Sequence, residues 1–341
     1  MKYKVSIVLG ALVAIGAGLA VAFFYAFPVQ MFTYGGMARN YLLTLSVPAG
    51  TLSTEVNSAY QGVADAAASP PAADAAWPNA AVGDWPSYNR TPTSQRYSPL
   101  SQITTKNVAQ LKVLCTYDTH EFAAFESGLI MVDNALIGTT QFDIFSLNPA
   151  TCAENWRTRL NYPGTLLPVN RGAAYMDGML FRGTQDGRVL AFDFKTGKQL
   201  WETRIADPKR GESVPSAPIA WDGLVYVGNA GGDYKGGKGH MFALEAKTGK
   251  IVWEFFLAPQ VPGDEVLGPL GATPLDASTW NMAPGLPISG AGTWTSYTLD
   301  IKNGLLYVPG GNPAPDFASG AREGSNLFSD SVVVLDAKTG D

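Results

Sequence analysis

Histidine and cysteine are nearly missing. His120 and His240 are the only imidazoles, and Cys115 and Cys152 the only thiols. A multi-histidine metal centre, a zinc ribbon and a CxxCH haem attachment site are therefore excluded within the chain. Charge is also scarce: 16% of residues are ionic and the formal net charge is −5. No Lys/Arg-rich run follows the N-terminus, so nucleic acid is not an expected partner. What is plentiful is glycine, with 37 copies, proline, with 23, and aromatics, at 11%. That mixture suits many short strands joined by tight turns around a sizeable core, and suits a helical protein poorly.

The N-terminus is the exception. Lys2 and Lys4 precede an uncharged run from Val5 to Phe27. At ~1.5 Å per residue this run spans roughly 34 Å, enough for the ~30 Å hydrocarbon core of a bilayer. Residues 1–30 thus predict a transmembrane helix acting as an uncleaved signal anchor. A cleaved signal peptide is the alternative, although its apolar region is usually only about 7–15 residues. The lysines would stay cytoplasmic, exporting everything after Phe27. Residues 31–83 form a juxtamembrane segment and a linker, the stretch from Ala64 to Val82 being rich in Ala and Pro, which reads as a tether. Aromatics and strand patterning begin at Asp84, where the globular domain, 84–341, is expected to start.

That domain repeats itself. The segments Ile144–Trp156, Val189–Trp201 and Met241–Trp253 share a strand, a turn and a second strand carrying Trp. The turn is Thr-Gly in the second and third copies and Thr-Cys in the first. A fourth copy starts at Val332 and reaches Thr339-Gly340 without its Trp strand, so the expectation is a chain that continues. Asp177-Gly178, Asp222-Gly223 and Asn303-Gly304 precede the later copies; such dipeptides favour two-residue hairpin turns. The unit is four antiparallel strands in roughly 45–50 residues, the period of a propeller blade. The fold class is therefore all-β, a β-propeller of four-stranded W-motif blades, with the recurring Trp packing between blades. Leu111–Tyr117 reads as an outer strand with no hairpin before it.

These repeats, with the entry segment Asp84-Trp-Pro-Ser-Tyr-Asn-Arg90, Arg96-Tyr-Ser-Pro-Leu100 and Asn107-Val-Ala-Gln-Leu111, resemble the eight-bladed quinoprotein alcohol dehydrogenases. The resemblance spans about residues 84–341, some four of the eight blades. It implies pyrroloquinoline quinone (PQQ) as cofactor, with calcium or a lanthanide beside it. It also implies residue roles. Glu126 would stand near the quinone. Arg171 would contact the cofactor, a guanidinium matching a carboxylate with two parallel hydrogen bonds. Ala230, Gly231 and Gly232 would let the backbone approach the flat ring. Asp233 stands where the family has a metal-binding glutamate, and the Asn312 amide oxygen would be a second metal ligand; both are donors suited to a hard cation. Trp294 would stack under the quinone.

Three departures accompany the resemblance. The adjacent cysteines of the well-known members are replaced by Thr165 and Leu166. A cofactor-contacting threonine is replaced by Pro215. The family's catalytic aspartate is expected beyond Asp341, so the catalytic residue is unknown within the chain, and residues 1–341 alone are expected to be inactive. The implied function is oxidation of an alcohol by a propeller anchored to the inner membrane and exposed to the periplasm. A cytochrome or membrane quinone would be the electron acceptor. The alternative is a non-catalytic PQQ-like propeller serving as a binding or assembly scaffold. Export to an oxidising compartment and the even cysteine count predict a Cys115–Cys152 disulfide, with two buried free thiols as the alternative.

Overall fold

The computed structural model describes residues 15–19, 21, 83–121, 125–163, 169–231, 236–272 and 277–341. The chain divides into two compact units, residues 70–314 with 322–341, and residues 1–69 with 315–321. The second unit contributes helical residues 15–19 and 21 and a 3-10 turn at Ser319–Ala321. Most of the expected anchor lies outside the described residues, and among those described no helix is long and apolar enough to cross a membrane.

All the strands among the described residues belong to the first unit. The first sheet holds β1 (Ile130–Val132), β2 (Ala135–Thr139), β3 (Asp143–Leu147) and β4 (Glu154–Arg159) in sequence order. The second holds β5 (Ala174–Met176), β6 (Met179–Gly183), β7 (Arg188–Asp193) and β8 (Gln199–Arg204). The third holds β9 (Ile219–Trp221), β10 (Leu224–Gly228), β11 (His240–Glu245) and β12 (Ile251–Phe256). A small ribbon pairs β13 (Asn281–Met282) with β16 (Arg322–Glu323), and the fourth sheet contains β14 (Thr298–Asp300), β15 (Leu305–Pro309) and β17 (Val332–Asp336). All pairings within the sheets are antiparallel. This is the W-shaped blade that the repeat predicts, complete three times and three-stranded in the fourth copy.

Successive side chains of a strand point to opposite faces, and β7 shows the consequence. Val189 and Ala191 pack into the core shared with Val225, Phe242 and Leu244 of the third sheet. Leu190 and Phe192 turn the other way, into the core shared with Ile130, Ile137 and Ile144 of the first. Both faces of β7 are buried, so this strand reads as a nearly continuous apolar run. The third sheet meets the fourth the same way, through Tyr226, Met241 and Trp253 against Leu299, Leu306 and Leu335.

The repeated motif joins one blade to the next. The indole Nε1 of Trp156 donates to the Phe194 carbonyl at 3.0 Å, that of Trp201 to Ala246 at 2.8 Å, and that of Trp253 to Ala337 at 3.0 Å. In every case the acceptor lies at the same place in the following blade. Gly197, Gly249 and Gly340 of the Thr-Gly turns adopt φ of +68°, +73° and +75° and lie under the preceding blade's indole. In the first copy Cys152 takes this left-handed position with φ 57°. It forms the expected disulfide with Cys115.

Two local expectations change. Leu111–Tyr117 is not a strand; Leu111, Val113 and Leu114 are exposed and no neighbouring strand pairs with them. Alternating apolar residues become a strand only where a ladder partner takes up their backbone hydrogen bonds. The segment is held instead by the disulfide and by Tyr117, whose hydroxyl donates to Glu154 at 2.6 Å. The Asn303-Gly304 pair does not make a two-residue turn. Asp300 pairs with Leu305 across residues 301–304, and the Asp300 carboxylate accepts from the amides of Lys302 and Asn303 at 3.0 and 3.1 Å. An aspartate able to cap its own turn selects the longer loop. Conversely, Asp133-Asn134, both with positive φ, makes a tight turn that the sequence reading passed over.

Candidate cofactor site

The entry segment crosses the first strands of several blades. Trp85 exchanges both backbone hydrogen bonds with Met131 at 2.7 and 3.0 Å, Tyr175 donates to Pro86 at 2.9 Å, and Leu299 donates to Pro92 at 2.8 Å. The Ser94 hydroxyl donates to the Tyr297 carbonyl at 3.0 Å. Segments leading into the first strands of different blades are thus brought close together.

Glu126 and Arg171 meet because two glycines do. Gly128 and Gly172 form a parallel bridge, with the Gly128 amide donating to the Arg171 carbonyl at 2.8 Å. Gly172 has φ +126°, and a Cβ there would lie 2.7 Å from the Gly128 carbonyl oxygen, so only glycine permits the approach. Buried Asn170 steadies this corner: it accepts from Thr139 at 2.6 Å and from the Gly172 amide at 3.2 Å, and donates to the Gly183 carbonyl at 3.0 Å. Arg171 then reaches Glu126 at 2.9 Å. Its Cζ lies 5.1 Å from the centre of the Trp294 ring, within the range of a cation–π contact.

Trp294 is 46% exposed, unusual for so large a ring, whereas Arg171 and Glu126 are partly covered. The Nε of Arg171 is buried and has no hydrogen-bond partner among the described residues. A guanidinium carries five donors, and leaving a buried donor unmatched costs about 1–3 kcal/mol. A half-open indole beside an incompletely satisfied guanidinium fits a planar ligand bearing a carboxylate. This is the fit expected of PQQ.

The other expected residues are joined more loosely. A Cβ on Gly311 would lie 3.2 Å from the Trp294 Nε1, which brings the Asn312 segment beside the indole. The Asn312 carbonyl accepts from the Ala291 amide at 2.8 Å. Ala230 is buried and exchanges backbone hydrogen bonds with Ser213 at 2.8 and 3.1 Å; Gly231 is half-buried with φ +113°. Gly232 and Asp233, and likewise Thr165 and Leu166, lie outside the described residues. Of the expected metal pair only Asn312 can be followed, and no group of three His, Cys, Asp or Glu residues among those described forms a metal site. Pro215 lines this corner through its backbone, accepting from the Arg171 amide at 2.9 Å.

Sequence reasoning missed Asn170, Ser216 and Tyr297. Each is a polar residue in an otherwise buried stretch next to a recognised segment, which is the one signal they offered. A cavity of about 460 Å³ lies elsewhere, lined by Arg204, Arg210, Glu212, Lys238, His240 and Asp264 among others. Its buried groups satisfy one another. Lys238 pairs with Asp264 at 2.5 Å, His240 with Glu254 at 2.7 Å, and Glu212 accepts from the amides of Asp207 and Lys238 at 2.8 and 3.3 Å. The unmatched donor, the open ring and the convergent segments are at Trp294, and chemistry favours that place over this cavity.

Comparison with known proteins agrees with the fold. The family profile for the PQQ-type glucose/ethanol/alcohol dehydrogenase β-propeller domain matches residues 85–341. The chain is 36% identical over 273 residues to the quinohemoprotein alcohol dehydrogenase ADH-IIG of Pseudomonas putida, covering 76% of this chain and 37% of that protein. It is 30% identical over 279 residues to the lanthanide-dependent methanol dehydrogenase of Methylacidiphilum fumariolicum, covering 76% of this chain and 45% of the relative. The solved structure of ADHIIG from P. putida superposes with a TM-score of 0.66 at 31% identity, over 76% of this chain and 39% of that one. The chain thus spans less than half the length of these relatives.

Proposed function

The chain belongs to the glucose/ethanol/alcohol dehydrogenase β-propeller family, and from that premise we propose that it holds PQQ between Arg171 and Trp294 as part of an alcohol-oxidising quinoprotein. A bound PQQ supplies a two-electron acceptor, and a calcium or lanthanide ion beside it supplies Lewis acidity. Arg171 binds a carboxylate of the cofactor through the donor that is otherwise unmatched. Glu126 keeps the guanidinium aimed along the slot, and the exposed face of Trp294 is the floor on which a planar ring rests. Asn312 and Asp233 contribute oxygen donors to the ion. Among the described residues Glu126 is the acidic group paired with Arg171, so its charge is committed to holding that side chain. The acceptor of the alcohol proton is not among the described residues of this cluster.

The membrane anchor at residues 1–30, the periplasmic placement of the propeller and a separate cytochrome or membrane quinone as electron acceptor belong to the same proposal. The charge asymmetry of Lys2 and Lys4 before Val5–Phe27 and the disulfide support export. A second reading, a propeller that binds a quinone without oxidising it, draws on Pro215, which offers backbone but no side-chain hydrogen bond where the family resemblance implies a cofactor-contacting threonine.

The observation that carries the proposal is the buried, unpartnered Nε of Arg171 beside the open face of Trp294. The test is titration of the full protein with PQQ, followed by quenching of tryptophan fluorescence. Saturable quenching that is lost in both Arg171→Ala and Trp294→Ala is expected. Equal binding by wild type and both variants would show that the quinone sits elsewhere. Dye-linked alcohol oxidation by the loaded protein separates the enzyme from the quinone-holding scaffold.

A further inference from the structure

The peptide that presents Trp294 is held from behind by two buried hydroxyls. The carbonyl of Thr293, the residue just before Trp294, accepts from the Ser216 hydroxyl at 2.9 Å and from the Tyr297 hydroxyl at 3.0 Å. The Tyr297 hydroxyl also accepts from the Gly228 amide at 2.9 Å. The Thr293 amide donates to the Asn229 carbonyl at 2.8 Å. Ser216 and Tyr297 are both buried, so neither bond is shared with water. The phenol of Tyr297 thus bridges the Trp294 segment to the start of the glycine segment that continues through Ala230 and Gly231.

Ser216 closes a second link. It follows Pro215, whose carbonyl accepts from the Arg171 amide, and lies three residues after Ser213, which pairs with Ala230. Residues 213–216 therefore touch all three segments of the slot: Arg171 through Pro215, the glycine segment through Ser213, and Trp294 through Ser216. A shift of this short stretch moves the guanidinium and the indole relative to each other. The width of a slot for a flat ring is sensitive to such movement, since ring stacking and bidentate pairing both tolerate only small displacements.

We infer that Ser216 and Tyr297 are positioning residues that set the spacing of Arg171, Trp294 and the glycine segment for cofactor binding. The inference rests on the cofactor reading above. Neither side chain touches the slot itself; each acts through the Thr293–Trp294 peptide.

The experiment compares Ser216→Ala, Ser216→Thr and Tyr297→Phe with Tyr162→Phe in the full protein. Tyr162 is a control of the same chemistry. It is a buried tyrosine whose hydroxyl donates to the Gln141 carbonyl in the first blade, remote in sequence from the Trp294 segment. Each variant is read twice, by its urea unfolding midpoint and by its dissociation constant for PQQ. Ser216→Ala is expected to weaken PQQ binding about tenfold, the scale of one lost hydrogen bond, and Tyr297→Phe, which loses the bonds to both Thr293 and Gly228, by at least as much. Ser216→Thr, which keeps the hydroxyl, should recover most of that loss. Tyr162→Phe should lower the unfolding midpoint while leaving PQQ affinity unchanged. Wild-type affinity in both Tyr297→Phe and Ser216→Ala overturns the inference, as does an equal loss in Tyr162→Phe, which would mark the effect as general loosening. Absence of PQQ binding by the wild-type protein overturns the cofactor reading itself, and the positioning role falls with it.

Discussion

Gly249 of the third blade lies flat against the indole of Trp201 in the second: a Cβ at Gly249 would sit 2.5 Å from Cε3 of the ring. The same turn supplies the Ala246 carbonyl to the Trp201 Nε1 at 2.8 Å, and the Gly249 carbonyl to the Thr203 hydroxyl at 2.7 Å. One turn therefore satisfies the polar edge of the tryptophan and clears room for its face. The contact explains why Thr-Gly and Trp recur together. Each Trp packs against the Thr-Gly turn of the next blade.

Gly249→Ala should accordingly destabilise the propeller by roughly 2–4 kcal/mol, combining left-handed backbone strain with overpacking against the indole. Gly263→Ala is the contrast. It has φ +98° but nothing within 4 Å of the added methyl, so it should lose only about 1–2 kcal/mol from the backbone. Urea unfolding of both variants measures the difference. Equal losses would show that the indole contact contributes nothing.

Breaking the Cys115–Cys152 bridge should cost stability without altering the slot. The bond closes a loop with a sequence separation of 37, for which the loss is expected at about 2–4 kcal/mol. Cys152→Gly tests it with the least disturbance, because glycine accepts the left-handed backbone that Cys152 adopts. The midpoint should fall to that of the reduced wild-type protein, while PQQ affinity stays level.

Glu212 should make stability fall with rising pH over part of the acid range. Burial pushes its carboxyl upward from 4.5, against the backbone amide of Asp207 and nearby positive charge, which lower it. The folded state thus binds the proton more tightly than the unfolded state. Stability is favoured below pH 4.5 and declines as pH rises from there through the folded-state value. Glu212→Gln removes the titration and keeps one acceptor oxygen, enough for the shorter bond from the Asp207 amide but not also for the Lys238 amide, so its stability is offset at all pH values alike. Its unfolding free energy should lack that decline, which chemical denaturation across pH 4 to 8 would reveal. An unchanged pH profile would mean that Glu212 titrates alike in both states.

Asn312→Ala and Asp233→Ala, made separately in the full-length protein, should each raise the calcium or lanthanide concentration needed for dye-linked alcohol oxidation. Loss of one oxygen donor to a hard cation weakens the site by about tenfold or more. Retention of wild-type oxidation and wild-type metal dependence by both variants would remove these residues from the metal site.

Local chemistry was enough to read the blade. The apolar run Val189–Phe192, the Asp-Gly turns at 177–178 and 222–223, and the recurring Trp each act over a few residues, where backbone sterics and strand pleating decide the outcome. The same local rules failed at Leu111–Tyr117, because a strand needs a partner that its own residues cannot provide. They failed also at Asn303-Gly304, where Asp300 captured the turn. Cys152 could be seen as an anomaly in the first Thr-Gly turn; that it occupies the left-handed position of a glycine became visible only in the folded backbone.

The slot divides in the same way. Glu126, Arg171, Trp294 and Asn312 were picked out by resemblance to a family, and their residue types already named the chemistry: a fork of donors for a carboxylate, an aromatic face for a flat ring, an amide oxygen for a hard ion. Sequence alone could not decide that Arg171 touches both Glu126 and Trp294, since Arg171 and Trp294 belong to segments far apart in the chain. Stacking of one blade on the next, the Gly128–Gly172 bridge and the hydroxyls of Ser216 and Tyr297 bring them together. Periodicity along the chain encodes the blades. The meeting of side chains at the slot depends on packing between blades, which only the tertiary structure specifies.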